Sequence, residues 1–220
     1  MTKLKNFISE LHQSTKRDFL SRMNDDKIEC MKVAKKFEEE YWDGDRRFGY
    51  GGYKLLPGRW KPLAEKLINQ YNLTNKSKLL DVGCGKAFLM HEIKNILPEI
   101  SITGVDISEH AIKEVPDNIK NNVKVFDARN KFPFKDNEFD LLISINTLHN
   151  FKIYDLKLSL QECERVAKDK YLVVEGYRNE EELFNLQCWA LTCESFFSDD
   201  EWIWIFNEYG YRGDYEFIYF

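Results

Sequence analysis

Long apolar runs are missing from this 220-residue chain. No stretch reaches the 18 or more apolar residues that a membrane-spanning helix needs. With 5 prolines, 11 glycines and 43% hydrophobic residues, the composition excludes collagen-like, low-complexity and disordered polymers. The five cysteines (Cys30, Cys84, Cys163, Cys188 and Cys193) are odd in number and form no C-x-x-C. That argues against a disulfide framework or a metal site and fits a reducing cytoplasm. The opening MTKLKNFISELHQ has no apolar run of signal-peptide length, so a cytoplasmic location is expected. A net charge of -5 weighs against general nucleic-acid affinity. Internal repeats and Ser/Pro linkers are absent too.

What is present is unevenly distributed. Residues 1–78 carry 17 Lys and Arg against 11 Asp and Glu, whereas residues 79–220 carry 15 against 26. Of the 32 aromatics, six fall in 41–60 and thirteen in 184–220. The length suits one domain with a sizeable core, plus an appendage.

The hydrophobic pattern predicts an amphipathic helix over 25–41, with Ile28, Met31, Ala34, Phe37 and Tyr41 on one face. YWDGDRRFGYGGYKLLPGRW (41–60), with five glycines and a proline, is expected to be an irregular loop or lid. Pro62 opens the next helix. From Ser77 the texture alternates. Strand-like runs at 78–82, 100–106, 123–128, 139–145 and 170–177 enclose helical stretches, notably 86–97 and 155–168. Strands separated by helices imply an α/β fold with a mainly parallel sheet covered on both faces. Capping-box patterns at Asn179/Glu182 and Ser198/Glu201 predict helices over 180–195 and 199–209, and RGDYEFIYF reads as a last strand.

Ligands of such sheets bind beyond the carboxyl ends of the strands, which is where the chemistry-bearing residues fall. LLDVGCGKAFL (79–89) runs a buried strand through Asp81, Gly83 and Gly85 into a helix. Glycine lets the backbone turn tightly against a ligand, and the helix start offers free N–H groups. A dinucleotide fingerprint needs a third glycine where Phe88 stands, and an acid beside the turn suits a cationic or hydrogen-donating ligand better than a pyrophosphate. Asp106 ends the second strand 25 residues later and reads as a ribose ligand or a helix cap, although Ser108 already offers a cap. Ile107 is placed to lie against a flat base. Asp127, before Ala128, is either an acceptor for an adenine amino group or a solvated turn residue.

Three acids ending three successive strands, with a glycine turn at the first, resemble the class I S-adenosylmethionine-dependent methyltransferases. LLDVGCGKA, GVDIS and FDAR match that family's first three motifs. FPFKDNEFDLLISINTLHNF and LQECERVAKDKYLVVEGY match its fourth- and fifth-strand regions, so the likeness covers roughly 62–220. It implies a Rossmann-like sheet of six to seven strands with S-adenosyl-L-methionine as cofactor, and the residues before it read as an N-terminal helical arm and lid (1–60). Asp81, Gly83 and Gly85 would surround the methionine portion and Asp106 the ribose. Asp127 and Ala128 would face the adenine, and Asn146 would close the pocket. Two departures stand out. Ala87 replaces the third small residue of the first motif, and too few residues follow Gly210 for the family's terminal hairpin. The sheet edge is therefore expected to be short, or completed by a second copy in a homodimer.

For the methyl acceptor, His149 reads either as a base or as a loop-packing histidine. Glu175 and Tyr177, ending the fifth strand, also face the expected pocket. Arg46, Arg47 and Arg59, with Tyr50 and Tyr53, suit an anionic group and a flat or cationic one. Gln187 lies in an apolar helical stripe with Leu183, Ala190, Leu191 and Glu194, and either meets a substrate or is satisfied by a neighbour. Trp202, Trp204 and Phe206 are expected to pack the final helix on the sheet. These features favour methylation of an N or O atom of a small polar, anionic metabolite. The alternatives are a protein or RNA methyltransferase docking through the basic N-terminal region, and a non-catalytic S-adenosylmethionine-binding module.

Overall fold

A computed structural model describes residues 3–220, so only the first two residues of the expected 1–60 arm lie outside it. Six strands, β1 (Lys78–Val82), β2 (Ser101–Asp106), β3 (Val123–Val125), β4 (Phe139–Ile145), β5 (Ala167–Glu175) and β6 (Asp214–Ile218), form one sheet in the order β3-β2-β1-β4-β5-β6. Every pairing is parallel, β5 with β6 included. All carboxyl ends therefore open on one side. The order reverses between β1 and β4, the position where parallel sheets leave a ligand crevice.

Alternation along the strands divides the core in two. Leu79, Leu141, Ile143, Tyr171 and Val173 pack with Leu63, Ala64 and Leu67 of α5 (Lys61–Gln70) and with Met90 and Ile93 of α6 (Phe88–Ile96). Leu80, Val82, Leu142, Leu172 and Val174 face the other way, toward Leu156, Leu160 and Cys163 of α8 (Ile153–Val166) and Trp202 and Phe206 of α10 (Asp199–Glu208). Two covered faces explain why the strands read as continuous apolar runs. Trp204, two residues from Trp202, projects to the opposite side of its helix and is 61% exposed, so it does not pack on the sheet as expected.

The N-terminal segment consists of α1 (Ser9–Gln13), α2 (Phe19–Asn24), α3 (Lys27–Ala34) and α4 (Glu39–Trp42), with a 3₁₀ turn at Arg46–Phe48. The single helix expected over 25–41 is thus two, because Phe37 adopts φ +56° and breaks it. Cys30 and Ala34 are the buried residues of α3, and Ile28 is exposed. The short helix α7 (Glu109–Lys113) follows β2. Helix α9 (Glu180–Trp189) ends six residues before the expected 195, as Ala190 turns to extended backbone. That break dissolves the stripe drawn from Leu183 to Glu194.

The sheet edge expected to await a second copy is occupied by the chain itself. Leu4 bridges to Tyr215 in parallel, with Lys5 N–H donating to Tyr215 O (2.8 Å) and Tyr215 N–H to Lys3 O (3.1 Å). Beside it the buried Glu216 carboxylate accepts the N–H groups of Phe7 (2.6 Å), Ile8 (3.0 Å) and Ser9 (3.0 Å). It also accepts the Ser9 hydroxyl (2.7 Å) and the Tyr171 hydroxyl (2.5 Å). One carboxylate thus fastens the start of the chain to its last strand. Glu216→Ala, which strands these donors in a buried place, is expected to lower stability by roughly 2–4 kcal/mol. Urea denaturation measures this, and limited proteolysis before residue 20 should accelerate; unchanged values in both would remove the clamp.

Candidate active site

Beyond the carboxyl ends of β1, β2 and β4 the backbone turns sharply. Gly83 has φ +81° and a Cβ there would meet Thr147; Gly85 has φ +53° and a Cβ would lie 2.7 Å from the Trp42 ring. Only glycine serves at these positions. Asp106 is buried, and its two oxygens accept Gly85 N–H (2.7 Å) and Ser108 N–H (2.9 Å). Ser108 Oγ in turn caps α7 and accepts Trp42 Nε1–H (3.0 Å). Asp106 therefore ties the glycine turn to the start of α7 and keeps a free lone pair on each oxygen. Burial raises its pKa, against the pull of these N–H groups. Asp81, behind the turn, is pushed up to about 8 by burial and then by Asp106.

Two cavities open here. The smaller, about 180 Å³, is walled by Gly83, Asp106, Ile107, Phe126, Asp127, Ala128 and Asn146, with Trp42 and Tyr50 from the N-terminal segment. The Asp127 carboxylate is engaged by the Arg129 guanidinium (2.8 and 2.7 Å), which holds its pKa below the usual range. The larger, about 470 Å³, lies under the N-terminal segment and over the ends of β5 and β6. Tyr41, Tyr50 and Asn146 line both cavities, so the two meet at these residues. Asn146 has φ +56°, which asparagine tolerates, and its buried Oδ1 has no partner. Tyr50 stacks on Trp42 (5.2 Å, 6°) and Tyr53 on Phe88 (5.0 Å, 23°), forming an aromatic roof.

Glu175 enters the larger cavity from the end of β5. Burial pushes its carboxyl up to about 7, while the positive charge of Arg17 opposes that rise. His149 stands behind it and lines neither cavity: Glu175 N–H donates to Nδ1 (3.2 Å), and Nε2 lies 3.5 Å from Glu175 Oε2. A ring whose Nδ1 accepts carries its proton on Nε2, facing the carboxylate. Burial lowers the His149 pKa to about 3, so the ring is neutral. As a base in direct contact with an acceptor, His149 is therefore misplaced.

Several other expected residues also stand elsewhere. Tyr177 directs its hydroxyl toward Glu201 (3.4 Å), outside both cavities. Arg47 pairs with Asp25 (2.7 Å), and Gln187 faces solvent because α9 turns its other side to the protein. Asp81 and Gly85 shape the turn without lining either cavity, Gly85 being covered by Trp42. Arg46, Tyr50, Tyr53 and Arg59 do line the larger cavity. So do Arg17, Arg22 and Trp189, which sequence reasoning missed; the basic excess before residue 79 was their only trace.

The family model described as "Methyltransferase domain" matches residues 73–210. Demethylmenaquinone methyltransferase of Thermotoga maritima is 26% identical over 144 residues, covering 66% of this chain and 59% of that protein. Ubiquinone biosynthesis O-methyltransferase of Rickettsia felis is 27% identical over 147 residues, covering 65% and 54%. The chain thus spans a little over half the length of these relatives. Among solved structures, the YcgJ protein of Bacillus subtilis superposes with a TM-score of 0.53 at 20% identity, covering 66% of each chain, a likeness of fold.

Raising Glu175 from 4.5 to about 7 makes its folded form bind a proton more tightly than the unfolded one. That stability is complete below pH 4.5 and is lost as the pH rises through 7. Glu175→Gln should therefore gain on the wild type across this window, by up to about 3 kcal/mol. Urea denaturation at pH 5 and pH 8 checks it: a constant difference would contradict the burial of this carboxyl.

Proposed function

This chain belongs to the class I S-adenosylmethionine-dependent methyltransferases, and from that premise we propose that it methylates an oxygen or nitrogen of a small polar metabolite. The observation that carries this reading is the pair of cavities meeting at Tyr41, Tyr50 and Asn146. One has the chemistry of a donor site, and the other is a half-open space of metabolite size.

The residues of the smaller cavity fit the cofactor. Asp106 retains lone pairs for two ribose hydroxyls, Ile107 and Phe126 offer apolar faces to an adenine, and Ala128 leaves room beside them. Asn146 Oδ1, buried without a partner, awaits a donor or a positive centre. Gly83, which lines this cavity, would meet the methionine end, and Asp81 and Gly85 shape the turn behind it. When bound, S-adenosylmethionine supplies a methyl group made electrophilic by its sulfonium.

The rest of the chemistry belongs to the protein. Tyr50 and Trp42 roof the junction and exclude water, as a lid does. Asn146 and Tyr41 line both cavities, so an acceptor held in the larger one would meet the donor site at these residues. Glu175, with a pKa near 7, is matched to accept the proton that a hydroxyl or ammonium acceptor must lose.

The two quinone-related methyltransferases among the relatives support a small-molecule acceptor. The larger cavity is lined by four arginines and Lys54, which suits a polar acceptor better than a long isoprenoid. Because Arg17, Arg22 and Arg46 converge on this cavity, the basic N-terminal region has less charge to offer as an outward docking face for protein or RNA. Among the described residues no helix is long and apolar enough to cross a membrane.

Asp106→Ala should abolish binding of S-adenosylhomocysteine in calorimetry while circular dichroism stays native. Wild-type affinity in that variant would refute the donor site. With a small-metabolite extract as acceptor source, kcat/KM should rise with pH to a plateau above about 7, and Glu175→Gln should lower it by roughly 10²–10⁴-fold and flatten the profile. Label appearing only in protein or RNA would overturn the small-acceptor reading.

A further inference from the structure

Trp189, the last residue of α9, is surrounded by three guanidinium groups from the N-terminal segment. Arg22 Cζ lies 4.6 Å from the ring centroid, Arg46 Cζ 5.1 Å and Arg17 Cζ 5.5 Å. All four residues line the larger cavity. Among the described residues, none of the three arginines has a carboxylate within ion-pair distance, whereas neighbouring Arg47 does. Their hydrogen bonds go to neutral groups. Arg22 donates to the carbonyls of Arg46 (2.6 Å), Arg47 (3.0 Å) and Gly49 (3.4 Å). Arg17 donates to those of His12 (3.2 Å) and Thr15 (3.0 Å) and to His12 Nδ1 (3.2 Å), and Arg46 to that of Gly49. The Nε atoms of Arg17 and Arg22 are buried without a partner.

These contacts fix the guanidiniums without neutralising them. Burial lowers the pKa of all three, and the charge of Arg46 lowers that of Arg17 and Arg22 further. The three cations repel one another. Facing charges compensate only in part: Glu175 raises the pKa of Arg17, and Asp25 that of Arg22. His12 is driven down to about 4 by burial and Arg17 and is neutral at pH 7, and Lys54 adds positive charge to the wall. Among the described residues Glu175 is the one carboxylate side chain lining this cavity, and it stands at the end of β5. A protein that leaves a half-buried, carbonyl-bound cluster of arginines without carboxylate partners has the donor geometry for a planar or tetrahedral oxyanion.

We propose that Arg17, Arg22 and Arg46, gathered around Trp189, are the anchoring subsite for an oxyanion, carboxylate or phosphate, on the methyl acceptor. The substrate class is then a small metabolite with its anion at the arginines and its nucleophile toward Glu175 and Asn146. This rests on the reading of the larger cavity as the acceptor site. Arg59, expected from sequence to serve an anion, lines the same cavity, and Arg47 stands apart in its pair with Asp25.

Calorimetry of the full chain with S-adenosylhomocysteine bound tests it, using sodium phosphate and sodium succinate as probes at low ionic strength. At least one should bind, and the preferred probe identifies the oxyanion. Arg17→Gln and Arg46→Gln should each weaken it roughly tenfold or more, with S-adenosylhomocysteine affinity and melting temperature kept as checks on folding; Arg46→Lys, which retains the charge, should recover part of the binding. If neither probe binds the wild type, or binding persists unchanged in folded glutamine variants, the subsite is wrong. A metabolite extract split by anion exchange separates this from the broader reading. Acceptor activity in the retained fraction is expected, and activity confined to the flow-through overturns the subsite while leaving methyl transfer intact.

Discussion

The Glu216 carboxylate, buried in β6 and shared between Tyr171 and the backbone of Phe7, Ile8 and Ser9, is the contact on which the rest of the molecule depends. The sheet alone would present its crevice open to solvent. Because Glu216 fixes where the chain begins, α1 and α2 lie across the carboxyl ends of β5 and β6, and Arg17 and Arg22 arrive over the cavity rather than on a free tail. The next fastening is at the far end of the same segment. Asp43 pairs with the buried Lys86 (2.5 Å) and with His110 (2.7 Å), while Trp42 donates to Ser108. Between these two anchors the segment has little choice but to bridge the crevice. The roof is therefore held at both ends by groups of the sheet domain, and it closes one space over the donor residues and another over the acceptor side.

Inside that enclosure the chemistry follows from strand ends. A parallel sheet puts Asp81, Asp106, Asn146 and Glu175 on one rim, and burial then decides what each can do. Asp106 spends one lone pair per oxygen on the turn and keeps the others. Asp81 is too deep to be readily ionised. Glu175, less deep and opposed by Arg17, comes to rest near neutrality, where a carboxylate can both hold and release a proton. The same residue type thus yields three roles from three depths.

Much of this was legible in the sequence, and the reason is periodicity. Five strands and the helices between them carry apolar patterns dictated by a two-faced core, and the turn glycines advertise φ values that other residues avoid. The rim residues Asp106, Ile107, Asp127, Ala128, Asn146 and Glu175 could be placed because strand ends can be placed. Legibility failed where position depends on long-range docking. His149 looked like an accessible base because nothing local says that Glu175 will stand in front of it. Gln187 was assigned to a stripe that exists only if α9 continues past Trp189, and the extended turn at Ala190 ends it. Arg17 and Arg22 sit in a stretch with no motif at all. Their site is made by residues 17, 22, 46 and 189 meeting, and no local pattern records that meeting.

The uneven charge along the chain then acquires a physical cause. A basic N-terminal segment lying over a more acidic sheet domain would be expected to pair off its charges, and in part it does: Lys35 with Glu194 and Lys5 with Asp214. The arginines at the cavity do not. Pairing them internally would have been easy, since one carboxylate on α9 or in the 190–194 segment could reach Trp189. The protein instead surrounds them with carbonyls and an indole, partners that orient a guanidinium without cancelling it. Glu175 brings a proton-accepting carboxyl to the same cavity, and its charge and that of Arg17 act on one another. The cavity therefore offers both a positive cluster and a carboxyl. A molecule negative at one end and protonated at the other would have one orientation in which both ends are matched, and in that orientation the end that loses its proton faces the donor.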